Sequence, residues 1–206
     1  RTCRTSQRNM VDVLMLPDTV YKRLGTIGNL TRQGKRINGL SRLMQSRILW
    51  EKAYAEMASN KGALTRGVTN NTLDGFSFER VENLIARISA GDYRFTPVRR
   101  VYIPKANGKK RPLGVPTADD KLVQGVVKLL LEVVYEPVFS VHSHGFRRGR
   151  SCHTALDKIK NGWTGVKWFV DVDVVGFFDN IDHRILLNLL KKRIDDKRFI
   201  KVVEGM

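Results

Sequence analysis

Residues 119–135 carry Leu122, Val123, Val126, Val127, Leu130, Leu131 and Val134 at helical spacing. So dense an apolar set leaves little polar face. It predicts a helix buried on most of its sides and ended before Pro137. A helix of that kind cannot stand at a surface, so other elements must wrap it. The chain of 206 residues is long enough to do so as one large domain or two small ones. No run of about 18 apolar residues occurs, so no membrane-spanning helix is expected.

The wrapping elements are legible in part. Residues 1–35 are polar and basic, and Pro17, Gly25, Gly28 and Gly34 leave room only for a short helix near 18–24. Leu40, Leu43, Met44, Ile48, Trp50, Tyr54, Ala55 and Met57 fit one amphipathic helix from about 38 to 58. It stops at Asn60-Lys61-Gly62, and a Gly-, Thr- and Asn-rich loop runs on to about 75. Ser77 can cap a helix bearing Val81, Leu84, Ile85 and Ile88 and closed by Gly91. Extended runs at 99–103 and 111–115 flank Asn107-Gly108, a hairpin turn pair. Ser151 can cap a helix through Ile159. Residues 166–172 read as a central strand, and Asp182 can start a helix carrying Ile185, Leu186, Leu189 and Leu190. The order is α+β.

Charge narrows the partner. Lys and Arg number 37 against 20 Asp and Glu, a net charge of +17. Residues 1–50 hold ten basic and two acidic side chains, and residues 101–150 hold nine and four. A polyanion, nucleic acid first, is the natural partner, although charge alone also admits an anionic membrane or a merely soluble basic protein. Cys3 and Cys152 form no disulfide framework and suit free thiols in a reducing compartment. The first residues, Arg1-Thr2-Cys3-Arg4, show no initiator Met and no secretory stretch, as at a cut end.

Three segments carry chemistry. In Phe169-Val170-Asp171-Val172-Asp173-Val174-Val175-Gly176-Phe177-Phe178-Asp179, an apolar run ends in acids, and Asp171 and Asp173 share one face of a strand. Paired carboxylates suit a hard cation such as Mg²⁺. By spacing alone, that reading and an ordinary strand end followed by an Asp182 cap stand level. In the hairpin, Lys105 and Arg111 flank the turn and can clamp a polyphosphate. Basic residues that keep a sheet edge from aggregating are the simpler explanation of the hairpin alone. In His144-Gly145-Phe146-Arg147-Arg148-Gly149-Arg150-Ser151, glycines and arginines lead into a helix start, which suits a nucleic-acid backbone. His142, His144, His153 and His183 lack zinc spacing.

Taken in order, these blocks resemble a group II intron-encoded reverse transcriptase, or maturase. The likeness rests on Val101-Tyr102-Ile103-Pro104-Lys105, Arg111 to Thr117, Gly145-Phe146-Arg147, Gly149-Arg150-Ser151 and Asp173 to Asp179. Asn60-Lys61-Gly62-Ala63 and Gly91-Asp92-Tyr93-Arg94 fit the family's upstream fingers. Leu64 to Thr69 looks most like its mitochondrial-like branch. The resemblance implies right-hand polymerase fingers plus the beginning of the palm. On it, residues 1–35 are a basic arm, 36–165 the fingers and 166–206 the start of a truncated palm.

It further implies that Asp173, with the backbone carbonyl of Val174, binds Mg²⁺ for nucleotidyl transfer, and that Lys105 and Arg111 hold the triphosphate. Phe178, or else Phe177, lies under the incoming sugar. Arg32, Lys35, Arg36, Arg42, Arg147, Arg148 and Arg150 face RNA. The implied partners are intron RNA, RNA template and primer, deoxynucleoside triphosphates, target DNA through a missing C-terminal part, and a second copy of the chain. No membrane is implied, and the compartment is the bacterial cytoplasm or an organelle. His144 stands where the family has Tyr, Arg148 where it has Pro, and Val175 where it has a polar or basic residue. The family's Tyr-Ala-Asp-Asp block is absent from these residues, so the chain alone is expected to be inactive. An RNA-binding splicing cofactor without polymerase activity, or a retron or diversity-generating reverse transcriptase, remains the alternative.

Overall fold

The computed structural model describes residues 18–60, 62–104 and 108–206. Lys105, Asn107, Lys61, Cys3 and the rest of residues 1–17 of the basic arm lie outside the described residues.

Eight helices are described: α1 (Asp18–Arg32), α2 (Leu40–Leu43), α3 (Arg47–Ala58), α4 (Phe78–Ala90), α5 (Ala118–Tyr135), α6 (Cys152–Gly162), α7 (His183–Arg193) and α8 (Lys197–Glu204). Strands β1 (Arg99–Pro104) and β2 (Lys110–Val115) form an antiparallel hairpin between α4 and α5. It is the one sheet among the described residues.

The centre is α5. Leu122, Val123, Val126, Val127, Leu130 and Val134 are all buried, and each such side chain contributes about 1.5–3 kcal/mol. Gly125 lets α3 cross at close range, since a Cβ there would sit 2.8 Å from Met57 Cε and 3.2 Å from Ala53 Cβ. From the other elements Ile27 of α1, Trp50 of α3, Leu84 of α4 and Phe199 of α8 join the same core. The α5 N-terminus carries the core's most buried acid. Asp120 accepts from the hydroxyls of Thr117 (2.6 Å) and Tyr93 (2.8 Å) and from the backbone N–H of Thr96 (3.3 Å). Burial first, and then the bond to Asp120, push the Tyr93 phenol well above its usual range.

A second tie joins distant parts of the chain. Ile37 and Ile194 form a parallel bridge, with Ile37 N–H donating to the Arg193 carbonyl and Asp195 N–H to the Ile37 carbonyl, both at 2.7 Å. Asp196 accepts from the N–H groups of Ser41 (2.8 Å) and Phe199 (3.0 Å), so one carboxylate caps α8 and pins it to the start of α2. Burial opposes ionisation there, but the N–H donors outweigh it and hold the carboxyl below its usual range.

Several expectations are corrected. The strand at 166–172 does not form: the run has no regular secondary structure, no described segment pairs with it, and Val170 is 88% exposed. High β-propensity makes a strand only where a neighbour completes the ladder. The helix expected over 38–58 is two helices, because the Met44 carbonyl accepts the Trp50 indole N–H at 2.7 Å and Ser46 is extended. Gly25 and Gly28 lie inside α1, which runs on to Arg32, and Gly28 faces Pro137. Helix α8 had no counterpart in the sequence reading. Of the face expected on α7, Ile185, Leu186 and Leu189 are exposed and only Leu190 packs against the core. The caps at Ser77, Ser151 and Asp182 stand as expected, and Ser151 forms a full capping box with Thr154. No helix among the described residues is long and apolar enough to cross a membrane.

Because the Asp196 carboxyl titrates lower in the fold than in the unfolded chain, its stabilisation is complete above the ordinary carboxylate value of 3.8 and is lost as pH falls through the folded value. Asp196→Ala lowers unfolding stability by about 1–2 kcal/mol at neutral pH in urea titrations. The gap to the parent narrows below about pH 3.8.

Candidate functional site

The hairpin is held at its base. Arg99 donates from Nε and Nη2 to the Arg66 carbonyl (3.0 and 2.7 Å) and from Nε to that of Gly67 (3.1 Å). Lys121 donates to the carbonyls of Gly62 (3.0 Å) and Thr65 (2.6 Å). Burial first, and then the nearby Arg99 charge, push the Lys121 ammonium below its usual range. Gly67 has to be glycine, since a Cβ there would lie 2.7 Å from the Pro116 carbonyl oxygen. The 62–67 loop is thus sewn to the root of both strands. Beyond that root the hairpin is exposed, and its register sets Arg111 opposite Ile103. Directly opposed residues share a face, so Arg99, Val101, Ile103, Arg111 and Leu113 lie on one side and Arg100, Tyr102 and Lys110 on the other.

The 144–151 loop uses its arginines differently from one another. Arg147 is only 7% exposed. It donates to the Glu136 carboxylate (Nε at 3.1 Å and Nη2 at 2.6 Å) and to the Ser140 and Ser143 carbonyls (both 2.8 Å), with its guanidinium 5.3 Å from the Phe139 ring centre. Its hydrogen-bonding capacity is spent inside the protein, not offered to a solvent-side ligand. Those Arg147 bonds, ahead of burial, set the Glu136 carboxyl below its usual range. Arg148 pairs with Glu56, and Arg150 donates to the Val141 carbonyl at 2.7 Å. His144 Nδ1 lies 2.8 Å from Thr154 Oγ1, which ties the loop to the α6 cap. Phe146 has φ 56 and is fully exposed.

Among the remaining basic candidates, Arg32 donates to Asn29 Oδ1 at 2.9 Å. Arg36 pairs with Asp195 at 3.0 Å and reaches the Lys191 carbonyl. Lys35 and Arg42 are exposed.

Residues 163–182 lie on the outside. Trp163 stacks on Phe169, with centroids 5.9 Å apart. Downstream, Asn180 knots a tight turn: its side-chain N–H groups reach the carbonyls of Val175 (3.2 Å) and Gly176 (3.0 Å), and its backbone N–H reaches Gly176 (3.0 Å). That turn sets Phe177 and Phe178 edge to face at 5.4 Å, and Phe178 is 79% exposed. Asp171 and Asp173 precede it, both exposed and outside any regular element. Thus Asp173 and the two phenylalanines share one segment.

A divalent cation of the Mg²⁺ type needs about six oxygen ligands in near-octahedral array. Among the described residues, no group of three or more His, Cys, Asp and Glu could hold a metal ion. The residues present therefore do not make a Mg²⁺ site by themselves, although Asp173 is a carboxylate with open space around it.

Sequence reasoning passed over Arg99, Lys121 and Glu136, which position these segments. A basic residue two places from a Gly-rich loop in space carries no local signal. Only Glu136, next to Pro137 and ahead of an arginine-rich loop, offered a hint.

Comparison with known proteins now bears on this arrangement. The family model for reverse transcriptase (RNA-dependent DNA polymerase) matches residues 103–204. The chain is 50% identical over 152 residues to the group II intron-encoded protein LtrA of Lactococcus lactis subsp. cremoris, across 73% of this chain and 25% of that protein. It is 36% identical over 197 residues to protein YkfC of Escherichia coli (strain K12), across 92% of this chain and 51% of that one. With nuclear intron maturase 1, mitochondrial, of Arabidopsis thaliana it shares 35% identity over 90 residues, 44% of this chain and 13% of that protein. It thus spans about a quarter of the first of these relatives and half of the second.

Arg147→Ala lowers stability by about 2 kcal/mol, because it strips the Glu136 carboxylate and two loop carbonyls of their donor. Lys160→Ala, on the exposed face of α6, changes it by less than about 0.5 kcal/mol. Chemical denaturation of both variants measures the contrast.

Proposed function

This chain belongs to the reverse transcriptase family, and on that premise we propose that it is part of a group II intron-encoded RNA-directed DNA polymerase that also assists splicing of its intron RNA. The observation that carries the proposal is the 50% identity to a group II intron-encoded protein over 152 residues. That likeness accompanies the order hairpin, arginine loop, Asp173, Phe177-Phe178 along the chain.

On this reading residues 36–165 are fingers, 166–206 begin the palm, and 1–35 form a basic arm. Arg111 grips the triphosphate of an incoming deoxynucleotide, together with Lys105. A guanidinium fork matches phosphate oxygens in two bonds, and the hairpin root held by Arg99 and Lys121 fixes where that fork stands. Phe178, or Phe177, supports the sugar of that nucleotide; the Asn180-bound turn presents both rings. Asp173, next to the Val174 carbonyl, is the carboxylate this chain brings to a Mg²⁺-dependent transfer centre, and one carboxylate does not complete such a centre.

The substrates are deoxynucleoside triphosphates with RNA template and primer. Intron RNA binds the basic surface, of which Lys35 and Arg42 are exposed members. Target DNA and a second copy of the chain are further partners, and the setting is the bacterial cytoplasm or an organelle.

Primer extension on an RNA template by the full-length protein tests the assignment. Asp173→Asn reduces extension by about a thousandfold or more while RNA affinity stays within about twofold; undiminished extension overturns the role of Asp173. Arg111→Ala raises the KM for nucleotide about tenfold with a smaller change in kcat. An unchanged KM removes the clamp.

A further inference from the structure

Four neighbouring clefts share lining residues, and three of them lie against α8. The widest, about 580 Å³, lies between the end of α4, the 91–95 turn and α8. Arg94 also lines a polar cleft of about 80 Å³ that reaches Arg87. In the other direction Arg198 continues the groove past Gln45 into a cleft of about 470 Å³ beside Lys197 and Arg42. Arg87, Arg94, Lys201, Arg198, Lys197 and Arg42 thus all line this set of adjoining clefts.

The acids near it are already engaged. Asp119 is held by Arg80 at 2.6 Å, Asp195 by Arg36 at 3.0 Å, and Asp196 is buried beneath two backbone N–H donors. Among the described residues, Arg42, Lys197, Arg198 and Lys201 have no ion-pair partner. Arg94 donates only to the Gly91 and Tyr93 carbonyls, and Arg87 lies 5.0 Å from the Tyr93 ring centre, so both keep their charge. Glu204 is the one lining carboxylate left unpaired among the described residues.

A row of unneutralised cations spread along a groove fits a chain of anions better than one compact anion. Its arginines supply forks that match phosphate, and the apolar floor of Ile88, Phe95 and Val202 suits the faces of sugars. We propose that this groove docks an RNA phosphodiester backbone, at a surface separate from the hairpin and from Asp173. The proposal rests on the reading above that the protein handles RNA, and it adds the place where the backbone lies.

The test uses the full-length protein and an RNA hairpin of arbitrary sequence, with affinity measured across a salt series. Arg198→Glu with Lys201→Glu lowers affinity about tenfold or more near physiological salt. It also reduces the slope of log K against log[salt] by about one to two, the signature of lost phosphate contacts. The same charge change placed elsewhere, Lys160→Glu with Lys167→Glu, lowers affinity less than about threefold. Equal losses in the two pairs, or an unchanged slope in the groove pair, overturn the proposal while leaving the polymerase reading intact. Parent protein that binds no RNA at all overturns that reading instead. Poly-glutamate displacing the RNA as well as RNA does, at equal charge, assigns the groove to acidic polypeptide and rejects the proposal. Arg198→Gln with Lys201→Gln repeats the measurement if the reversed pair melts early.

Discussion

A helix with hardly any polar face dictates how everything else is placed. Because α5 exposes so little of itself to water, α1, α3, α4 and α8 must all lie against it or against one another. The fully buried acid at its head, Asp120, is tolerated because two hydroxyls and a backbone N–H converge on it. That junction also settles the course of the chain around it. Tyr93 and Thr96 are bound there, so the stretch leaving α4 is fixed before the hairpin begins, and Thr117 is fixed just after the hairpin ends. The two strands start and finish at one anchored point.

The segments bearing chemistry sit outside this core and are attached to it with graded firmness. The hairpin is tied at its root through Arg99 to the 62–67 loop, which Lys121 holds to α5, and its described strands are exposed beyond that point. The arginine loop is nailed through its middle by Arg147, a residue whose type and neighbours read as a ligand contact but whose partners are Glu136 and two carbonyls. Among the described residues, the stretch through Asp173 is organised by its own turn and one aromatic stack.

What could be read in advance follows from the range of the forces involved. Caps are local, so Ser77, Ser151 and Asp182 were visible as helix starts from their own few residues. The α5 burial was visible because its apolar density exceeds what one face needs. The break after Met44 was not, since it answers to an indole six residues on. Gly25 and Gly28 read as breakers, yet packing overrides their weak helix propensity once Ile27 is buried beside them. The run at 166–172 misled in the opposite sense: its side chains favour a strand, but pairing depends on a neighbour its own residues do not specify. Asp173, Phe177 and Phe178 were picked out as one block, and they do share one segment. Nothing in their spacing told how that block would stand relative to Arg111.

The tie between the Ser41 N–H and Asp196 joins residues 155 positions apart, and Ile37 meets Ile194 beside it. A growing chain emerges from the ribosome in order, so α2 and α3 are synthesised long before the residues that seal their flank. Until α8 arrives, the apolar groove that receives Phe199 is open to water and to any other nascent chain nearby. The flank of the helical layer thus waits on residues made about 155 positions later in the chain.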